Sequence, residues 1–259
     1  WSDVSLADAA QLAQVAVREL ARLMSAGIPP KNTYAYFDRP MREPVLQELR
    51  GSAGAVSAVV TRNSYGCLVL NTSSVMFVDV DLPETPVSIG SWFKKLFGKQ
   101  EASGTGDAES RVLAQAEAWI EANPGWGWRI YRTSAGLRLM ATHALIEPGH
   151  ESARRVFDAM GADPLYRRLC DVQQCYRARL TPKPWRCRVP KPPVSWPWPD
   201  DNAEARYVRW DDGYRQACER FATCDLVTTL GNDLIHSDVR PILELHDEMT
   251  RVDSRLPLA

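Results

Sequence analysis

Two carboxylates end an apolar run in the segment VMFVDVDLP, residues 75–83. Because side chains alternate along a strand, Asp79 and Asp81 are predicted on one face, about 6.5–7 Å apart at Cα, with Val78 and Val80 on the other. Paired carboxylates at the end of a buried strand are a common way to hold a divalent metal ion. The simpler interpretation is a strand that ends in solvent, with both acids in a turn or a cap.

A second motif is the segment RTSAGLR, residues 132–138, which predicts a hairpin turn. Such a turn suits a phosphate group, because glycine permits close approach of the backbone while hydroxyl and guanidinium groups donate hydrogen bonds. The predicted phosphate ligands are Arg132, Thr133, Ser134, Gly136 and Arg138. His143 is added to this set, although its spacing from Arg138 places it on the opposite face of a regular strand. The alternative is an ordinary turn with solvated arginines.

A third motif is the segment DVQQCYRARLTPK, residues 171–183, in which one acid precedes three basic residues. Arg177 and Arg179 fall on one face of a predicted strand, and Lys183 follows that strand. Two arginines and a lysine along one edge suit a triphosphate or the backbone of a nucleic acid. The alternative is a surface strand whose arginines extend into solvent.

These motifs need strands and helices that bring them together. Short β-type runs at 55–61 and 65–71 precede the Asp-bearing strand, and strands at 126–132 and 137–144 form the hairpin. Helices are predicted at 5–24, 44–49, 108–122, 151–160, 207–224 and 241–252, and residues 165–179 begin as a helix and end as a strand. Strands that follow one another directly favour an α+β fold with an antiparallel or mixed sheet.

The overall charge carries no global nucleic-acid or membrane signature, since the 259 residues have a net charge of −1. The charge is uneven, however: residues 127–191 hold 13 Lys and Arg against 5 Asp and Glu, a balance of +8 that phosphates would complement. The six cysteines form no CxxC pair, which indicates reduced thiols rather than a zinc site. Neither a signal peptide nor an apolar run of membrane-spanning length is visible, so a cytoplasmic location is predicted.

Three regions are predicted along the chain. Residues 1–54 form an N-terminal helical segment, and residues 55–190 form the α+β core, interrupted by a flexible insertion at 83–107. Residues 191–259 are expected to pack on this core as a Pro- and Trp-rich arm followed by helices. Tryptophans of such an arm can stack on nucleobases, although packing against the core is the commoner role.

In their order, the Asp-x-Asp strand, the T-x-x-G hairpin and the acid followed by a basic segment resemble the archaeo-eukaryotic primase superfamily. This superfamily includes primase small subunits, primase-polymerases and the polymerase domains of bacterial end-joining ligases. The resemblance covers roughly residues 55–190 and implies an RRM-like primase-polymerase core flanked by helices. Arg138 stands where the family has a histidine; an arginine can bind phosphate but cannot titrate near neutral pH.

The resemblance implies a metal-dependent nucleotidyltransferase that adds nucleotides from an NTP or dNTP to a 3′-hydroxyl. Asp79, Asp81 and Asp171 would hold two Mg²⁺ or Mn²⁺ ions, which activate the hydroxyl and stabilise charge on the phosphates. The implied partners are a nucleoside triphosphate and a DNA or RNA template or primer, with no membrane. The residues that would contact nucleotide or phosphate are Arg132, Thr133, Ser134, Gly136, Arg138, His143, Arg177, Arg179 and Lys183.

Two other classes of function compete with this interpretation. One is a non-catalytic protein of the same fold that uses its basic face to bind a nucleotide or a nucleic acid, which the arginine at position 138 favours. The other is a metal-dependent phosphoesterase that uses the same pair of aspartates. Convergence of the Asp79, Asp81 and Asp171 carboxylates would favour the two-metal enzyme, because its ions lie about 3.5–4 Å apart.

Overall fold

Residues 6–25, 43–82 and 104–259 are described by the structure, which is a computed structural model. The chain divides into two units, residues 1–42 and residues 43–259. The first contains helix α1 (Leu6–Ser25), where the apolar stripe predicts a helix at 5–24. Most of the flexible insertion predicted at 83–107 lies outside the described residues, and its last four residues begin a helix.

The second unit combines helices with two antiparallel sheets, so the predicted α+β class is confirmed. Its helices are α2 (Gly104–Ala122), α3 (Glu151–Met160), α4 (Pro164–Gln173), α5 (Asp201–Cys218), α6 (Arg240–Thr250) and a short 3₁₀ helix, Pro184–Cys187. Its strands are β1 (Val45–Arg50), β2 (Val56–Arg62), β3 (Leu68–Thr72), β4 (Phe77–Asp81), β5 (Gly127–Thr133), β6 (Gly136–Ala141), β7 (Tyr176–Arg179) and β8 (Cys224–Gly231). One sheet has the order β1-β2-β3-β7 and the other β4-β6-β5-β8.

Two predicted helices are wrong. Residues 44–49 contain good helix formers, yet Val45–Arg50 is strand β1, because it pairs antiparallel with β2 and this pairing outweighs local propensity. The helix predicted at 207–224 spans Asp201–Cys218 instead, and Cys224 begins strand β8, which pairs with β5. The region from 191 onward therefore supplies a strand to the second sheet rather than only packing on the core.

Strand β4 follows the predicted alternation of burial. Val78 and Val80 are buried on one face, whereas on the other face Asp79 is partly exposed and Asp81 is exposed. Phe77, at the start of the strand on the aspartate face, is also buried in the main hydrophobic core. The apolar residues anchor the strand because each buried side chain of this size contributes about 1.5–3 kcal/mol. The two carboxylates are consequently held on the same face of a fixed strand.

Helix α4 is attached to β4 through its first residues. Asp163 caps the helix, accepting hydrogen bonds from the backbone N–H groups of Leu165 and Tyr166 at 3.1 and 3.2 Å. The backbone N–H of Asp163 donates to the carbonyl of Asp79 at 3.1 Å. Asp followed by Pro is a typical helix start, since Pro164 at the first helical position needs no hydrogen-bond acceptor. The N-terminus of α4 thus lies beside the carboxylates of β4.

The two sheets approach each other at β4 and β7. From β6, the neighbour of β4, the Arg138 Nη1 group donates to the carbonyl of Arg179 at the end of β7, at 3.0 Å. Asp79 and Asp81 therefore meet two of the predicted arginines, Arg138 and Arg179, where the sheets adjoin.

Candidate functional site

Asp79 forms a bidentate salt bridge with Arg138, which lies directly opposite it on β6. The Arg138 Nε donates to Asp79 Oδ1 at 2.8 Å and its Nη2 to Oδ2 at 3.2 Å. The arginine side chain is 3% exposed and the aspartate side chain 32% exposed. Although burial opposes ionisation of Arg138, the Asp79 carboxylate raises its pKa, so the guanidinium stays charged. Each oxygen of Asp79 accepts one hydrogen bond from this arginine.

Asp81 differs from Asp79 because it takes part in no ion pair among the described residues. Its partial burial, together with the nearby carboxylates of Asp163 and Asp79, raises the pKa of Asp81 above the ordinary value. Lys183 and Arg179 act in the opposite direction. Asp81 is therefore the carboxylate of this strand that is open to a ligand.

Three cationic side chains lie near one another and are called here the basic cluster: Arg179, Lys183 and Arg186. Two of them, Arg179 and Lys183, also act on Asp81. Arg179 ends β7, Lys183 precedes the 3₁₀ helix and Arg186 lies within that helix. Burial and the neighbouring Arg138 lower the pKa of Arg179, and burial with Arg179 and Arg186 lowers the pKa of Lys183. In the described part of the chain, no member of the basic cluster is paired with a carboxylate.

The most informative atom of the basic cluster is Nε of Arg179. This N–H group is buried and has no acceptor within the described residues. A buried donor without a partner is costly, and one on a charged group more so. An anion placed between Arg179 and Lys183 would supply the missing acceptor and offset the repulsion among the cations.

The predicted hairpin motif is largely satisfied from within. The Thr133 hydroxyl accepts from the N–H groups of Ala135 and Gly136 at 3.4 and 3.2 Å, while Ser134 is exposed at the tip. Arg132 is paired with Glu109 of α2. A Cβ atom on Gly136 would lie 2.0 Å from the Val80 carbonyl oxygen, so this glycine permits close packing of β4. The turn's donors are thus used to build the sheet.

Two other predicted phosphate ligands lie apart from the basic cluster. Arg177 donates from Nη2 to both oxygens of Glu43 at 2.8 Å, which neutralises it. His143 lies beyond the end of β6, where its Nδ1 accepts from the Gly127 N–H at 3.3 Å and its ring contacts Trp126. Burial lowers the pKa of His143, so the ring is neutral near pH 7. Both side chains have structural partners in this arrangement.

Asp171, the third predicted metal ligand, lies in α4 and lines a surface cavity of about 390 Å³ with residues of α3 and α4. Its Oδ1 is buried and has no hydrogen-bond partner within the described residues. Across residues 6–25, 43–82 and 104–259, no group of three His, Cys, Asp or Glu side chains is arranged to hold a metal ion. The structure therefore does not bring the three predicted metal ligands together: Asp79 is paired with Arg138, and Asp171 lines the cavity beside α3 and α4.

A row of buried polar side chains lies behind Arg138, and the sequence motifs did not predict it. The Arg138 Nη1 approaches Sγ of Cys224 at 3.8 Å, Cys224 contacts Nε2 of His246 at 3.9 Å, and His246 Nδ1 is 2.9 Å from Asp247. Burial raises the pKa of Cys224 to about 11 and lowers the pKa of His246. The thiol is therefore protonated and the imidazole neutral, so this row positions Arg138 rather than reacting.

Asp163 and Arg186 also belong to the site although the motifs did not include them. The Asp-Pro pair at 163–164 is a helix-start signal that could have placed Asp163 at a structured terminus.

Comparison of the chain with protein-family models, with curated proteins and with solved structures gave no match. Among the described helices, none has the length and apolar character needed to cross a bilayer.

Proposed function

We propose that this protein binds a nucleoside triphosphate at the junction of its two sheets, with the basic cluster holding the phosphates. The observation that carries this proposal is the buried Nε of Arg179, which has no acceptor among the described residues and belongs to a cluster of three cations that no described carboxylate neutralises. A guanidinium presents a planar fork of donors that matches phosphate, and Lys183 adds a compact charge. Asp81 and Asp163 lie where a cation accompanying the phosphates would be attracted.

The proposal includes an RRM-like primase-polymerase core and a cytoplasmic location. Support for the fold comes from the Asp-x-Asp strand lying next to a hairpin strand, with the basic segment following an acid-bearing helix. The Asp79–Arg138 salt bridge favours binding over two-metal catalysis, since Asp79 would have to exchange Arg138 for a metal ion. The six thiols are free, as in proteins of reducing compartments.

Nucleotidyl transfer is the second candidate function, and the state of Asp81 favours it. A carboxylate with a raised pKa is a better general base than an ordinary one, and Asp81 stands beside the proposed phosphate site. An attacking 3′-hydroxyl placed there would transfer its proton to this carboxylate as its oxygen bonds to the α-phosphorus. The bond from the α-phosphorus to the bridging oxygen breaks, and the basic cluster stabilises the charge on the departing pyrophosphate.

Titration with a fluorescent ATP analogue, with and without Mn²⁺, tests the binding proposal. Arg179→Met removes the unpaired guanidinium and should weaken binding about 10- to 150-fold, the range expected for one charge-assisted hydrogen bond. Arg177→Met is the matched control, because Arg177 lies on the same strand face but is held by Glu43. Equal affinity of the Arg179→Met and wild-type proteins, or no binding by the wild type, contradicts the proposal.

Primer extension and de novo synthesis with labelled nucleoside triphosphates test the second candidate. Incorporation by the wild type that is abolished in Asp81→Asn would support nucleotidyl transfer. If the wild type binds nucleotide but incorporates none with either Mg²⁺ or Mn²⁺, the protein is a binding module and the second candidate fails.

A further inference from the structure

A second cationic and aromatic surface adjoins the basic cluster. Residues 182–199 contain four basic residues and no acid. Within this segment Trp185 is 44% exposed, which is unusual for the largest apolar side chain. The ring of Tyr65, from the turn between β2 and β3, meets it edge-on with 5.3 Å between centroids. An exposed tryptophan supported from the side in this way offers a fixed flat face.

Two ammonium groups lie over these rings. Lys183 Nζ lies 5.5 Å from the centroid of Trp185, and Lys191 Nζ lies 5.8 Å from the centroids of both Trp185 and Tyr65. Each is close enough for an attractive cation–π contact. Lysine side chains are long and flexible, so the same groups can move off the ring and bind the phosphates on either side of a stacked nucleotide.

The backbone that carries Trp185 is held firmly. Pro184 and Cys187 are buried on the inner side of the 3₁₀ helix, and the Val189 N–H donates to the Pro184 carbonyl at 2.9 Å. Farther along, Nε1 of Trp210 donates to the carbonyl of Pro190 at 2.8 Å. A platform fixed before binding loses little conformational entropy when a ligand is ordered on it.

We propose that Tyr65, Trp185, Lys183 and Lys191 form a stacking platform for single-stranded nucleic acid. Single strands offer what this surface complements, namely a π face on every base and a phosphate between successive bases. An acidic peptide would match the charges but not the supported aromatic face. The inference goes beyond nucleotide binding at the basic cluster, with which the platform shares only Lys183.

Fluorescence anisotropy with a labelled single strand of about 20 nucleotides tests the platform, since such a strand exceeds one binding footprint. Trp185→Ala should weaken binding about 5- to 150-fold, the range for loss of one base–aromatic stack. Trp196→Ala is the matched control: Trp196 is 40% exposed in the same arm, but no described cation or aromatic ring contacts it. Trp185→Phe keeps a ring and should recover much of the affinity, which separates stacking from misfolding.

The salt dependence of the affinity gives an independent measure of the phosphate contacts. Lys191→Ala should lower the slope of log affinity against log salt by about 0.7, the value for one phosphate contact with a single strand. Equal losses of affinity for the single strand in Trp185→Ala and Trp196→Ala, or no binding by the wild type, would contradict the proposed platform. So would a polyglutamate competitor as effective as the unlabelled strand. Because the Trp185 variants leave Arg179 intact, retained binding of the ATP analogue shows that a failure concerns the platform alone.

Discussion

Replacement of Arg138 by methionine should destabilise the protein by about 3 kcal/mol, since removal of one partner from a buried ion pair costs about 3–5 kcal/mol. The lower end is expected because the Asp79 side chain is 32% exposed and can regain water. The substitution keeps most of the apolar volume of the side chain but removes both bonds to Asp79 and the bond to the Arg179 carbonyl. At about 2–4 °C per kcal/mol for a protein of this size, the melting temperature should fall by about 6–12 °C.

Urea unfolding followed by circular dichroism measures the effect, with the slope of the transition checked for a two-state comparison. Arg132→Met is the control, because Arg132 is 49% exposed and its pair with Glu109 should contribute only about 0–1 kcal/mol. In the double variant Asp79→Asn/Arg138→Met, removal of the unpaired charge should restore part of the lost stability. Surface substitutions usually change the free energy of unfolding by no more than about 0.5 kcal/mol. A change that small in Arg138→Met would refute the assignment of Arg138 as a buried partner of Asp79.

Three further predictions concern the surroundings of the site. Gly136→Ala places a Cβ 2.0 Å from a β4 carbonyl oxygen and should cost about 1–3 kcal/mol or more in urea unfolding. The control Gly106→Ala meets no atom within 4 Å and lies in helix α2, so it should be neutral or stabilise by up to about 1 kcal/mol. Burial lowers the pKa of His246 below 6.5, so below that pH the unfolded state binds one more proton than the folded state. The free energy of unfolding should therefore fall by up to about 1.4 kcal/mol for each pH unit below 6.5. In His246→Gln this pH dependence should be absent. Asp163→Ala should cost about 0.5–2 kcal/mol through loss of the helix cap, and NMR titration should show a lower pKa for Asp81 once the neighbouring charge is gone.

Local sequence patterns predicted those elements whose periodicity agrees with their tertiary setting. The alternation in β4 placed Asp79 and Asp81 correctly on one face, and the helix at 151–160 ends at Gly161, whose φ of 63° suits glycine. Strand β1 was missed because its leucine and glutamate residues favour a helix until β2 supplies a partner. Strand β8 contains the β-branched residues Val227, Thr228 and Thr229, but this run is short and its partner β5 is distant in the sequence, so the local pattern does not identify it as a strand.

Prediction of the site had a different limit. The motifs listed charged residues, but which charges neutralise one another depends on pairing between distant strands. Asp79 meets Arg138 only through the β4–β6 register, and Arg177 meets Glu43 across more than a hundred residues. Arg179 is distinguished from Arg177 and Arg138 only when the structure shows that those two arginines are paired with Glu43 and Asp79. No spacing rule within a single segment carries that information.

The interleaving of the two sheets has a consequence for how the chain folds. Strands β1, β2 and β3 are completed by β7, after the second sheet has already begun, and β4, β6 and β5 are completed by β8 near the C-terminus. Neither sheet is a continuous stretch of chain, so on a ribosome neither is complete until residues 176–179 and 224–231, respectively, have emerged. Such distant pairings slow folding and leave strand edges exposed in the meantime. Fragments that end before Gly231 should therefore aggregate rather than form an independent catalytic or binding core.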